Sequence, residues 1–137
     1  MQPGAFSALP NHRKVDMLIA LWILNGLLAL VFIAAGATKL FRPRATLIDS
    51  GMGWATDFSE PVVKLIGAVE ILGAIGLIVP LLTGIAPVLT PLASVGLAIA
   101  MVGAIVVHIR RKEAATSSTV LLILTVASAV LGFLVVA

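Results

Sequence analysis

Glu70 stands inside the apolar run Leu65-Ile66-Gly67-Ala68-Val69-Glu70-Ile71-Leu72-Gly73. A carboxylate within hydrocarbon costs about 2.5–3.5 kcal/mol on insertion scales unless it is paired, protonated or hydrated. Such a residue therefore either serves a function or locks neighbouring helices together. Lys39 and His108 close two other apolar runs. Together the three groups offer an acid, an amine and an imidazole, and imidazole is the side chain that normally titrates near neutral pH. This chemistry suits ion pairing, binding of a polar head group or proton exchange. It does not suit hydrolysis, because no nucleophile accompanies the three. One His and one carboxylate also fall short of the three or four ligands of a metal site. A haem held by His108 alone, at a membrane edge, lacks a partner ligand. With no Cys in the chain, thiol redox chemistry, disulfides and Fe–S ligation are excluded, and with no Tyr so is a phenolic acid or radical. No Gly-rich phosphate loop is present.

The elements that must position these groups are membrane helices. Of 137 residues, 61% are hydrophobic and 11% charged, against about 45–50% and about 25% in soluble domains. The mean hydropathy is +1.19. There is too little polar surface to face water, so lipid is the solvent for most of the chain. Four runs approach the ~20 residues needed to cross ~30 Å of hydrocarbon, at about 17–40, 62–82, 90–109 and 119–137. Short connections make sequential helices antiparallel neighbours, which predicts an all-α, up-down-up-down four-helix bundle. Residues 1–16, with Pro3, Gly4, Pro10 and Asn11, read as a flexible lead-in. The small-x-small sequence Ala35-Gly36-Ala37 invites a signal-peptide reading, but the apolar run before it exceeds the ~7–15 residues of a signal core. A retained first span is expected.

The longest polar connection, Phe41 to Pro61, carries Arg42, Arg44, Asp49, Trp54, Asp57 and Ser59. Trp54 and Phe58 lie four apart, so a short interfacial helix could rest both rings at the membrane surface and act as a lid. Ser59 is a candidate cap for the second span, with Pro61 in its first turn. Lys39, Arg42, Arg44, Lys64, Arg110, Arg111 and Lys112 gather on one side, against Arg13 and Lys14 on the other. The positive-inside rule then places the 1–2 and 3–4 loops in the cytoplasm and both termini outside an inner, cellular membrane. A net charge of +3 in clusters beside apolar runs points to lipid headgroups rather than nucleic acid.

Helical spacing puts Asn25, Ala29, Phe32, Gly36 and Lys39 on one small, polar face. Ser94, Ala98, Met101, Ile105 and His108 share another. Lys39 by itself reads as a snorkelling anchor, and a nearby Glu70 would draw it inward. Lys39, Glu70 and His108 all fall in one half of the membrane and could line a polar pocket closed by the Trp54 loop, with Asn25 on the same face as Lys39. Gly67, Gly73, Gly76, Gly96 and Gly103 allow close helix approach, within the bundle or in a homo-oligomer.

The chain resembles the DoxX-like family of small four-span membrane proteins. The resemblance rests on Gly36-Ala37-Thr38-Lys39 before Arg42-Pro43, on Met52-Gly53-Trp54, on Leu65 to Gly73, and on Pro80, Thr83-Gly84, Pro91 and His108. It spans roughly residues 18–135, and Lys39, Glu70 and His108 match the family's recurrent polar positions. It implies association with quinone-linked or redox-stress membrane systems, without a catalytic role for any residue. The expectation is a non-catalytic subunit or binding module that houses a hydrophobic, quinone-like molecule or docks a redox protein partner. Two alternatives stand beside it. One is a stand-alone quinone-linked oxidoreductase or proton-coupled carrier working through Glu70 and His108, and the other is a purely structural subunit.

Overall fold

The computed structural model describes residues 8–137, and within them every regular element is helical. Helix α1 spans Asn11–Phe41, α2 Arg44–Asp49, α3 Glu60–Thr83, α4 Leu89–Arg110 and α5 Thr116–Val136, with a 3-10 turn at Gly53–Asp57. Helices α1, α3, α4 and α5 are each long and apolar enough to cross a membrane. They pack as a ring, α1 on α3, α3 on α4, α4 on α5 and α5 back on α1. The protein is a multi-pass four-helix bundle, and its outer surface shows why lipid must surround it. Ile23, Leu27, Leu30, Leu65, Leu72, Ile99 and Ile123 are all more than half exposed. The inner stripe is Leu28, Ala29, Phe32, Ala74, Leu77, Leu97 and Met101.

The first helix begins at Asn11 rather than near Met17, so residues 11–16 of the expected lead-in are helical; residues 1–7 lie outside the described part. Pro10 has the extended dihedrals that precede a helix, and its carbonyl accepts the Lys14 N–H. Beyond it no helix breaker intervenes, so the span propagates back through Asn-His-Arg-Lys at little cost. The resulting 31-residue helix is about 46 Å long at 1.5 Å per residue, enough to carry Arg13 and Lys14 clear of the hydrocarbon.

Two glycines decide how closely α1 and α3 approach. A Cβ on Gly36 would lie 2.6 Å from the Gly67 carbonyl oxygen, and one on Gly67 2.6 Å from that of Gly36. The helices therefore cross backbone on backbone, as small-residue membrane interfaces do. On the other side of α3, Pro80 lacks the N–H that would bond the Gly76 carbonyl. Thr90 Oγ1 of α4 donates to that freed oxygen at 3.0 Å. A proline that would leave an unpaired group in lipid is thereby turned into an inter-helix bond.

Candidate functional site

Lys39 lies three residues after Gly36, and Glu70 three after Gly67. Each Cα–Cβ bond leans toward its own helix N-terminus. In antiparallel α1 and α3 these leanings oppose, so Lys39 reaches inward from the loop end while Glu70 reaches back toward it. They meet with Nζ 2.7 Å from Oε1, and the Glu70 side chain is 4% exposed. Lys64 Nζ, one turn into α3, donates to the orphan carbonyl of Leu40 at 2.9 Å and fastens the end of α1.

The loop above folds around a cation. Arg44 Nε donates to the carbonyls of Ala55 and Phe58 at 3.0 and 2.7 Å, and its terminal nitrogen to Thr56 at 3.1 Å. Beneath it, buried Leu47, Ala55 and Val63 form a small core of their own. Trp54 lies in the 3-10 turn rather than an α-helix, because Gly53 to Asp57 closes too tightly for a full turn. Its ring meets Phe58 edge to face with centroids 6.0 Å apart, and Lys39 Nζ sits 5.8 Å from its centroid. The rings expected at the membrane surface thus face inward, over the ion pair. Ser59 occupies the cap position of α3, but its hydroxyl makes no capping bond.

Below this loop is a cavity of about 570 Å³. Its polar end carries Lys39, Glu70, Trp54, His108, Ser117 and Ser118, and its body is made of Ala35, Ile66, Ala100, Met101, Ala104, Val107 and Leu121. Leu65 and Val69, both exposed on the outside of α3, also border it, so it opens sideways toward lipid. Four of the five candidate residues therefore come together. Asn25 does not: it lies fourteen residues before Lys39, about 21 Å along α1, and contributes to a different layer. There Asn25 Nδ2 donates to the Leu77 carbonyl at 2.9 Å, and its Oδ1 accepts from Ser128. Ser128 Oγ is in turn 2.8 Å from Ser94 Oγ.

His108 is held by residues that spacing alone did not single out. Its Nδ1 lies 2.9 Å from Glu113 Oε1. Arg111 approaches the same carboxylate oxygen at 3.3 Å, and its Nη1 pairs with Asp57 at 3.0 Å across to the Trp54 loop. This half-exposed cluster ties the two loops together. The hydrogen bond from His108, helped by Arg111, holds the Glu113 carboxyl below its ordinary value of 4.5. The Asp57 hydrogen bond raises the Arg111 guanidinium further still. The only sequence sign of this cluster was the run Arg110-Arg111-Lys112-Glu113 after His108, which by itself reads as a solvated stop signal. Among the described residues no three His, Asp or Glu side chains gather as metal ligands would.

Comparison with curated proteins and with solved structures finds no match. The model of the DoxX-like family matches residues 23–133, from the first span to the last. The chain is an integral membrane protein and belongs to the DoxX-like family.

Proposed function

We propose that the protein is a non-catalytic membrane binding module that takes an apolar, quinone-like molecule from the bilayer into the cavity beneath the Trp54 loop. The observation that carries this reading is the cavity itself: an apolar body open toward lipid, ending at a buried Lys39–Glu70 pair, His108 and an indole. Ligand pockets commonly have this make-up, mostly apolar walls with a few fixed polar groups that orient the ligand. A flat ring would stack on or beside Trp54 while its tail follows Ala35, Met101 and Leu121. The positive-inside count puts this end of the bundle on the cytoplasmic side. A bound molecule held there could be presented to a redox protein docked on the basic loops.

The test uses purified protein carrying Trp22→Phe, which leaves Trp54 as the sole indole. Titration with a benzoquinone bearing a decyl tail should quench Trp54 emission saturably. In Glu70→Gln the affinity should fall about 10-fold or more, the scale of one lost charge-assisted contact. Quenching that rises linearly without saturation in the wild type removes the binding reading. Saturable binding that Glu70→Gln leaves unchanged, together with loss of bundle stability, assigns the pair to structure alone.

A further inference from the structure

Helix α4 ends in a way that fixes one side chain over another. Lys112 takes a left-handed φ of 56°, its N–H bonds the Ile109 carbonyl at 3.0 Å, and the Glu113 N–H bonds the His108 carbonyl at 2.9 Å. This is the paired 6→1 and 5→2 closure in which the residues at its two ends, here His108 and Glu113, commonly touch through apolar side chains. Here the contact is instead a hydrogen bond between imidazole Nδ1 and a carboxylate. An ionised carboxylate only accepts, so the ring nitrogen facing it carries the proton. Glu113 stays ionised at neutral pH, since the His108 hydrogen bond keeps it below the ordinary carboxylate value. In the neutral ring the other nitrogen is then bare. No hydrogen bond occupies Nε2 among the described residues, and His108 borders the cavity.

We propose that His108 Nε2 is a hydrogen-bond acceptor at the polar end of the cavity, and that Glu113, by fixing the ring's tautomer, makes the site select apolar molecules whose head group carries a hydroxyl. The inference rests on the cavity reading above and narrows it: of a quinone-like pair, both forms enter and the dihydroxy form binds the more tightly. The other polar groups discriminate less. Glu70 spends Oε1 on Lys39, Lys39 Nζ can donate to a hydroxyl or a carbonyl oxygen alike, and Ser117 and Ser118 both donate and accept. Glu113 is a positioning residue, acting through the ring.

The test compares two probes that differ by one O-methyl group, 4-nonylphenol and its methyl ether 4-nonylanisole, titrated against Trp54 emission in the Trp22→Phe protein at matched micelle mole fraction. The phenol should bind about 10-fold more tightly, because an ether leaves the bare nitrogen unpaired. In Glu113→Leu nothing accepts from Nδ1, so the ring proton is free to move to Nε2. The phenol's advantage should then shrink below about 2-fold while the ether binds no worse. His108→Leu should bring the phenol down to the ether. Equal saturable binding of both probes to the wild type overturns the acceptor assignment and leaves the cavity standing. A full phenol preference in Glu113→Leu overturns the role given to the carboxylate. If neither probe saturates, the cavity reading fails and this one with it.

Discussion

At the depth of Asn25, Ser94 and Ser128 the bundle core is polar but neutral, whereas at Lys39 and Glu70 it holds two full charges. The neutral layer closes on itself. Ser128 gives its one proton to Asn25 Oδ1, so its oxygen is left to accept from Ser94, and the Asn25 amide donates to the Leu77 carbonyl. All three side chains are fully buried. The charged layer differs in having open space beside it, an indole over Lys39 and the Gly36–Gly67 helix crossing alongside. A satisfied neutral network specifies how helices pack and adds little else. A charged pair bordering a cavity keeps hydrogen-bonding capacity that a ligand can use. The contrast separates a packing device from a site within one small fold.

The sharpest way to break that contrast is to remove one charge. Lys39→Met should lower stability by about 3–5 kcal/mol, because it strands a buried carboxylate. Combining Lys39→Met with Glu70→Leu should recover most of the loss, since an apolar pair of similar volume is often tolerated in place of a buried ion pair. Reversible unfolding in mixed micelles gives the values, and strict additivity of the two changes would mean the charges are not coupled. Probe affinity should fall about 10-fold or more in Lys39→Met, in Glu70→Leu and in the double variant, even where stability returns. That split between stability and binding is what marks the layer as a site.

The next largest effect belongs to Gly67→Ala. The new methyl would lie 2.6 Å from the Gly36 carbonyl and 2.9 Å from Lys39 Cβ, so α1 and α3 must part. A loss of about 1–3 kcal/mol is expected, with weakened probe binding because the ion pair is pulled apart. Gly26→Ala, where nothing lies within 4 Å of the added carbon, is the matched control and should change neither.

These residues also show how far sequence reading reaches. Glu70 announces itself because an acid in an apolar run has few reasons to be there, and Lys39 follows because one helical face points it inward. Membrane spans are legible for the same reason: lipid forces long apolar runs, and little else satisfies it. Asn25 misled because it shares a face with Lys39, and a face says nothing about depth; only the fold shows that Ser128, 103 positions away, takes up its oxygen. Glu113 was hidden for a different reason. Its partnership with His108 depends on the left-handed turn at Lys112, a residue with none of glycine's advertisement for that conformation.

A smaller effect tests the neutral layer. Ser128→Ala removes the donor to Asn25 and the acceptor for Ser94 together. Hydrogen bonds between membrane helices average about 0.6 kcal/mol and reach about 1.7, so a loss near 1 kcal/mol is expected in the same unfolding assay. Probe affinity should move less than about 2-fold, the spread of an uncoupled distant site. A large loss of binding here would erase the distinction between the two layers.

The smallest effect sits outside the bundle, in the ion cluster that joins the loops over the site. Glu113 is held below 4.5 by His108 first and Arg111 second, so the folded protein binds fewer protons there than the unfolded chain. What it contributes is therefore complete above that value and drains away as the pH falls through the lower folded value. Trp54 in the Trp22→Phe protein reports on it, since the Asp57–Arg111 bond ties its loop to the same cluster. Iodide quenching of Trp54 should stay level from neutral pH down to about 5 and rise only below the ordinary carboxylate range. Glu113→Gln should begin more accessible and show a smaller acid step. An undiminished step in that variant would assign the acid opening to Asp57 or Glu60 and leave Glu113 to the imidazole alone.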